Sequence, residues 1–555
     1  MNRFAIQLVA GLLVTLMMIF AYHQNYMQTF DDRIRDFMFV IRGPIVPTGQ
    51  VVIVDIDEKS LGELGQWPWE RNKLAQIMQN LADAGAGVVG LDIVFAEDDK
   101  TSPKQYLKRL GIDSSGYPDY DEVFGQAIAT LPVVPGFIFE MENDGRAIGE
   151  APSGAGTYSE KYKRGEEEFL LEPYRATTNV PKIQDFAYSS AFFNTIPGED
   201  SIIRSVPLAM KYDFSVYPSL AFEMVRIGLQ TKYVYINYHS DDETTNAVDY
   251  IRLGKRNIPT DDKGRLFVNF RGPGKTFKYI SASDIYNNTF DKHEVLGKYL
   301  LMGTSAAGLL DLRATPYDSI FPGVEVHANV IDNILAGDII AKPYAMVTYE
   351  TFLIFGLGIL LTIILALASA VVSLVIASGF FIGYLLFNYY MLFEQGLVFN
   401  ILFVSLGIIL NFILAIVVNY FLETRQKNMI KGKFASKVSP AVMEDILKHE
   451  GGNGVMAGMS REVTVFFSDV RGFTNISEAS PDPKTLIEFL NEYMDPMTDI
   501  VIEQEGTVDK FIGDAIMAYW NAPIDVEGHP DKAVIASLQQ LHALRALNVK
   551  LKADE

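Results

Sequence analysis

TFLIFGLGILLTIILALASAVVSLVIASGFFIGYLLFNYYMLF, residues Thr351–Phe393, holds 43 positions without a charged side chain. As one helix it would be ~65 Å long, about twice the hydrocarbon thickness of a bilayer. It is therefore read as two spans with a short turn near Ala368–Ser373. Glu394-Gln395-Gly396 breaks the run, and Leu397–Leu422 supplies another span. At the other end, Phe4–Tyr22 is long and apolar enough for one crossing. No small-x-small cleavage site follows it, so an uncleaved anchor is favoured over a signal peptide. Four spans put both ends on one side. Arg3 precedes the first span, and Arg425, Lys427, Lys431, Lys433 and Lys437 follow the last with no intervening acid. Under the positive-inside rule both ends are cytoplasmic. The same basic run also reads as a solvated linker that touches anionic lipid. The predicted partition is an anchor at 1–22, an extracytoplasmic sensor at 23–345, three spans at 346–422, a basic linker helix at 423–460 and a final domain at 461–555.

Acidic residues outnumber basic ones 68 to 47, and the net charge is −21. Such a chain repels phosphate backbones, so no nucleic-acid partner is expected. With no cysteine, disulfides, thiolate metal sites and cysteine nucleophiles are excluded.

The segment between the first two spans reads as α/β. Val51–Ile56 has the pattern of a buried strand. Leu74, Ile77, Met78 and Leu81 fall at i, i+3, i+4 and i+7, a helical stripe. Val88–Phe95 reads as the next strand. Further strands are expected at Leu131–Phe139, Leu266–Phe270 and Tyr299–Gly303, and helices at Pro218–Arg226 and Val324–Ala336. Glu97–Asp121 and Glu140–Lys182 are polar and read as long surface insertions. Asp55, Asp57 and Asp92 lie at strand ends, where α/β folds form clefts. The alternative is that they cap helices and turns. Arg313 and His327 offer anion or proton sensitivity, or a structural role.

This segment resembles the CHASE2 family of extracellular sensors. The resemblance rests on Val54-Asp55-Ile56-Asp57, Trp67-Pro68-Trp69, Gly90–Phe95, Asp200–Leu208, Tyr217–Ala221, Gly303–Gly308, Asp311–Pro316 and Pro322–Asn329. It implies a sensory role with an unidentified extracytoplasmic ligand.

From Arg461 the pattern changes. Val463–Ser468 is a hydrophobic strand that ends at Asp469, and Val470-Arg471-Gly472-Phe473-Thr474 leads toward a helix. Over Pro483–Glu503, Leu486, Phe489, Leu490, Tyr493, Met494, Met497, Ile500 and Val501 form a continuous apolar stripe, which is core. Thr507–Phe511 and Ala515–Trp520 flank Ile512-Gly513-Asp514 and predict a hairpin with a carboxylate at its turn. His529–Val549 predicts a further helix. The order is β-α-β-β-α, with a carboxylate after each half of the motif. Asp oxygens suit Mg²⁺ or Mn²⁺, and two carboxylates can bridge two ions that clamp a triphosphate. The Val470–Thr474 turn offers backbone N–H groups to phosphates, and Gly472 permits close approach. Lys510 sits at the rim of the same turn. The bland alternative for a lone aspartate is an ordinary turn residue.

These residues resemble the class III nucleotidyl cyclase catalytic domain, specifically adenylate cyclases. The matching motifs are Phe467–Thr474 and Gly506–Asp514. The resemblance implies an α+β, ferredoxin-like fold and two Mg²⁺ or Mn²⁺ held by Asp469, Asp514 and the Val470 carbonyl. It makes Asp469 and Asp514 catalytic, and Lys510, Gly472, Phe473 and Thr474 substrate-binding. Lys510 is expected to recognise adenine, whose N1 accepts from an ammonium. The implied reaction converts ATP to 3′,5′-cyclic AMP and pyrophosphate, in a homodimer of a bacterial inner-membrane protein that meets itself through its cyclase, membrane and sensor regions. The match covers about the first half of a cyclase domain. A second adenine-recognition residue and a transition-state Asn and Arg are expected beyond Glu555, and the 555 residues alone are expected to turn over little ATP. The competing reading is a non-catalytic receptor with a cyclase-like domain that dimerises or binds nucleotide. A histidine kinase through His449 lacks kinase nucleotide boxes, and a diguanylate cyclase lacks its Gly-Gly-Asp/Glu-Glu-Phe signature.

Overall fold

The computed structural model describes residues 3–143, 145, 158–161, 167–239, 245–306, 312–434, 460–522 and 524–553. They form two compact units, Met1–Ala415 and Ile416–Glu555.

In the first unit Val51–Ile56 is at most 3% exposed at every position. A strand covered on both faces needs continuous apolar sequence, and this one lies inside a parallel sheet. The parallel order runs Lys278–Ser281, Val51–Ile56, Tyr299–Thr304, Val88–Leu91, Val133–Glu140. Alternate side chains feed different cores. Val52, Val54 and Ile56 pack with Leu74, Ile77, Met78 and Leu81. Val51 and Ile53 face the opposite cluster, which holds Phe222, Met224, Val324 and Ile331.

Val88–Phe95 is shorter than expected and ends as a strand at Leu91. Phe95 is instead an anchor in the core, its N–H donating to Asn179 Oδ1 at 2.8 Å. Glu97–Asp121 is no bare insertion, because the helix Pro103–Arg109 lies within it and Tyr120–Ile128 begins at its end. Its carboxylates satisfy backbone donors: Asp99 accepts from Arg71 N at 2.9 Å, and Asp121 from Asp99 N at 2.8 Å. Much of 144–166 lies outside the described residues. A second, antiparallel sheet built on Val234–Tyr238, Val248–Leu253 and Arg256–Pro259 was not foreseen. The helix expected from Pro218 starts at Leu220, since Ser215–Pro218 pairs with Ala209–Tyr212.

Among the described residues four helices are long and apolar enough to cross a membrane: Phe4–His23, Met346–Leu367, Ala370–Phe393 and Leu402–Arg425. The 43-residue run breaks at Ala368 and Ser369, inside the expected turn. Small residues let the first two approach closely. A Cβ on Gly11 would fall 2.3 Å from Thr362 Cγ2, and one on Gly358 would fall 2.4 Å from Thr15 Oγ1.

The sensor carboxylates serve the fold. Asp57 caps the helix Glu58–Leu64 through Ser60 N at 2.8 Å. Asp55 accepts from Ser305 N at 3.0 Å and Ser305 Oγ at 2.6 Å. His327 lies inside the helix Gly323–Ala336, 3% exposed, with Nε2 3.9 Å from Asp92. Residues 307–311 of the sensor motif lie outside the described residues. Burial pushes the His327 imidazole down to about 4, and the Arg313 charge acts in the same direction. The unfolded chain therefore takes up a proton near pH 6.5 that the native chain refuses, so stability is full above that pH and falls as pH drops toward 4. Between pH 7.5 and 5 the first unit should lose about 2 kcal/mol by this route. Thermal unfolding at the two pH values checks it, and His327→Gln should remove most of the difference.

Candidate active site

The second unit has three described strands in the order Thr464–Ser468, Ala515–Trp520, Thr507–Ile512, all antiparallel. Helices Pro483–Glu503 and His529–Ala553 pack with the sheet. Ile516, Ala518 and Trp520 alternate into the core and are fully buried there. They pack with Tyr493, Met497 and Val501 of the predicted stripe. Trp520 Nε1 donates to Gln504 O at 2.8 Å, which ties the hairpin to the end of the helix.

Register places the two aspartates. Ser468 pairs with Ile516, and Ile512 pairs with Ala515. Asp469 follows Ser468, and Asp514 precedes Ala515. Both therefore emerge at the same end of the sheet. Gly513, at φ 65°, makes the tight turn that carries Asp514. An independent sign of convergence is the Tyr493 phenol. Burial pushes its pKa up, and the charges of both Asp469 and Asp514 push it further. Tyr493 is a core residue, as its spacing indicates, but its ring also stands beside the candidate site. Periodicity could not show this, because it reports a face and not a neighbour.

The turn after Asp469 also takes the expected form. Gly472 adopts φ 78° and begins the helix Phe473–Ala479. Phe473 N donates to Val470 O at 3.2 Å, which leaves the carbonyl a second lone pair.

Lys510 depends on a feature the sequence hides. In a regular strand Val508 and Lys510 would share a face. Val508 pairs with Ala518 on the core side, and the register then shifts at Asp509. This irregularity sets Lys510 opposite Met517, on the open side of the sheet. Phe467 also pairs with Met517. Lys510, Met517 and Phe467 thus form one row across the open face. Lys510 is exposed, with Nζ 3.2 Å from the Asp509 carboxylate. The same side leaves Val465 49% and Phe467 61% exposed.

Asp469 is exposed and Asp514 half-buried, and neither takes part in an ion pair among the described residues. No cluster of three or more Asp, Glu or His side chains suited to a metal occurs among the described residues. Two carboxylates with the Val470 carbonyl make an all-oxygen donor set, which fits Mg²⁺ or Mn²⁺ and suits softer metals poorly.

Residues 10–368 match the family described as the CHASE2 domain. The chain belongs to the CHASE2 family. Residues 455–554 match the adenylate and guanylate cyclase catalytic domain. The chain is 34% identical over 122 residues to an adenylate cyclase of Anabaena cylindrica, covering 22% of each protein. It is 35% identical over 106 residues to adenylate cyclase 1 of Rhizobium meliloti (strain 1021), covering 19% of this chain and 15% of that one. The chain thus spans about a fifth of the length of these relatives. Among solved structures, the adenylyl cyclase CyaB of P. aeruginosa is 34% identical over 17% of this chain and 47% of its own, at a TM-score of 0.16. The guanylyl cyclase Cya2 is 34% identical over 18% and 49%, at 0.17.

Asp469→Ala and Asp514→Ala should each weaken Mn²⁺ binding at least about tenfold, since each removes a charged oxygen ligand. Calorimetric titration of the purified protein measures this. Unchanged affinity in either variant would remove that residue as a ligand.

Proposed function

We propose that this protein is a membrane receptor adenylate cyclase, which converts ATP to 3′,5′-cyclic AMP and pyrophosphate under the control of its CHASE2 sensor. The observation that carries the reading is the convergence of Asp469 and Asp514 at one sheet end, within a region matching the cyclase catalytic family.

Asp469, Asp514 and the Val470 carbonyl would hold two Mg²⁺ or Mn²⁺ ions. Bound there, such ions neutralise a triphosphate and lower the pKa of the ribose 3′-OH that attacks the α-phosphorus. The backbone of Gly472, Phe473 and Thr474 binds phosphate oxygens. Lys510, turned onto the open face, donates to adenine N1. The exposed Val465 and Phe467 on that face, with Phe511 and Ile512 exposed nearby, supply apolar surface for a second copy of the chain. Arg3 and the basic residues from Arg425 onward support a reading with both ends in the cytoplasm of a bacterial inner membrane and the sensor outside. Lys437 and His449 lie outside the described residues.

The test uses the full gene product in membrane vesicles with Mn²⁺ and ATP. Asp514→Ala should lower cyclic AMP formation at least ~100-fold without changing membrane insertion. Lys510→Glu should lower kcat/KM for ATP at least ~10-fold, because a carboxylate repels the acceptor N1. Activity surviving Asp514→Ala would remove the metal-site argument. No product from the unaltered protein would favour a non-catalytic receptor whose cyclase-like domain dimerises or binds nucleotide.

A further inference from the structure

A helix amino terminus leaves backbone N–H groups without intrahelical partners, and they are usually capped by a nearby side chain of the same segment. The last apolar helix, Leu402–Phe434, is capped largely from afar. Asp31, in the helix Gln28–Arg42, accepts from Ile401 N at 2.6 Å and from Leu402 N at 2.8 Å, both through Oδ1. The preceding amide, Asn400 N, donates to Glu350 Oε1 at 2.5 Å. Phe403 N finds a local acceptor, Asn400 Oδ1 at 2.9 Å. Asp31 is 3% exposed and Glu350 2%. Three consecutive amides at the start of this helix are thus held by carboxylates from two other elements. The negative charge also suits the positive end of the helix dipole.

Asp31 belongs to a longer series of charges. Its Oδ2 accepts from Arg35 Nη2 at 2.6 Å, and Arg35 Nη1 donates to Asp32 Oδ1 at 2.6 Å. One turn on, Asp36 takes a two-pronged bond from Arg204, with Nε at 2.8 Å and Nη2 at 2.7 Å. Arg204 also grips Asp200 at 2.9 and 2.8 Å, and Arg33 Nε lies 2.9 Å from the same carboxylate. Asp200 and Arg204 belong to the sensor. Paired planar groups of this kind fix orientation as well as distance. A cleft of about 340 Å³ opens at the junction, lined by Asp31, Asp32 and Arg35 on one side and by Asp261 and Arg265 of the sensor on the other.

We propose that Asp31 is the coupling residue of this chain: it shares the helix Gln28–Arg42 with Asp36, which the sensor's Arg204 grips, and its carboxylate holds the amino end of the last apolar helix, so that displacement of the sensor loop around Asp200 and Arg204 is passed to that helix. The helix runs on past Ala415 to Phe434, and the cyclase-like region follows in sequence. The effect on cyclic AMP rests on the proposed function, but the coupling itself does not.

Amide hydrogen exchange on the full chain in lipid nanodiscs tests the coupling without an activity assay. Asp31→Ala should speed exchange at Ile401 and Leu402 at least tenfold. Asp31→Asn keeps an acceptor and should fall in between. Arg204→Gln is decisive, because it touches the sensor and the Gln28–Arg42 helix but not the last helix. It should speed exchange at Ile401 and Leu402 at least threefold, while the core strand Tyr299–Thr304 stays protected. Asp36→Asn, which leaves the Arg204–Asp200 pair, serves if Arg204→Gln fails to fold. If both sensor-side changes leave Ile401 and Leu402 as in the unaltered protein, the coupling is overturned. In vesicles that make cyclic AMP, Asp31→Ala and Arg204→Gln should alter its rate at least threefold. Exchange altered by Asp31→Ala but by neither sensor-side change would reduce Asp31 to a structural cap and overturn the proposal. No cyclic AMP from any form, with exchange still coupled, would count against the cyclase reading alone.

Discussion

The pairing register of the strands Thr464–Ser468, Ala515–Trp520 and Thr507–Ile512 is the constraint on which the functional account depends. Side chains alternate along a strand, so a slip of one residue exchanges the core face for the open face. Trp520, Ile516 and Ala518 prevent that slip by filling the core between the sheet and its two helices. With the register held, Asp469 and Asp514 emerge together and their negative charge has no partner among the described side chains. A site that gathers two carboxylates without neutralising them is suited to cations. The buried face of these strands holds the fold, and in the proposed reading Lys510 on the open face meets the substrate.

The first unit handles its charges differently. Asp55, Asp57, Asp99 and Asp121 each accept from backbone or hydroxyl donors, so they hold turns and helix starts together. Burying a carboxylate is costly unless its lone pairs are satisfied, and here they are used to close the loops around the parallel sheet. At the start of the last apolar helix the same rule joins separate elements, with Asp31 and Glu350 taking the free amides there. The charged groups there are buried and paired, which favours a small number of discrete arrangements over continuous drift.

Much of this architecture was legible in the residues. The 43 uncharged positions, the period-3.6 stripe from Leu486 to Val501 and the Gly513-Asp514 turn carry local signals that survive folding. The strand expected to reach Phe95 ends at Leu91, because an apolar run reports burial and Phe95 is buried without being in the sheet. The irregularity at Asp509 was invisible, since Val508-Asp509-Lys510 fits a regular strand equally well. The cap from Asp31 was also invisible: a bond across 370 residues leaves no periodic trace. The polar stretch Glu97–Asp121 looked like a loop because its carboxylates face backbone donors that sequence alone does not place.

A structure of the full gene product with Mn²⁺ and a non-hydrolysable ATP analogue is the most direct measurement. The account predicts metal density between Asp469 and Asp514, with oxygens of both at about 2.0–2.2 Å, and the Lys510 ammonium within hydrogen-bonding reach of adenine N1. Metal bound by only one of the aspartates, or a nucleotide seated away from this sheet end, would contradict it.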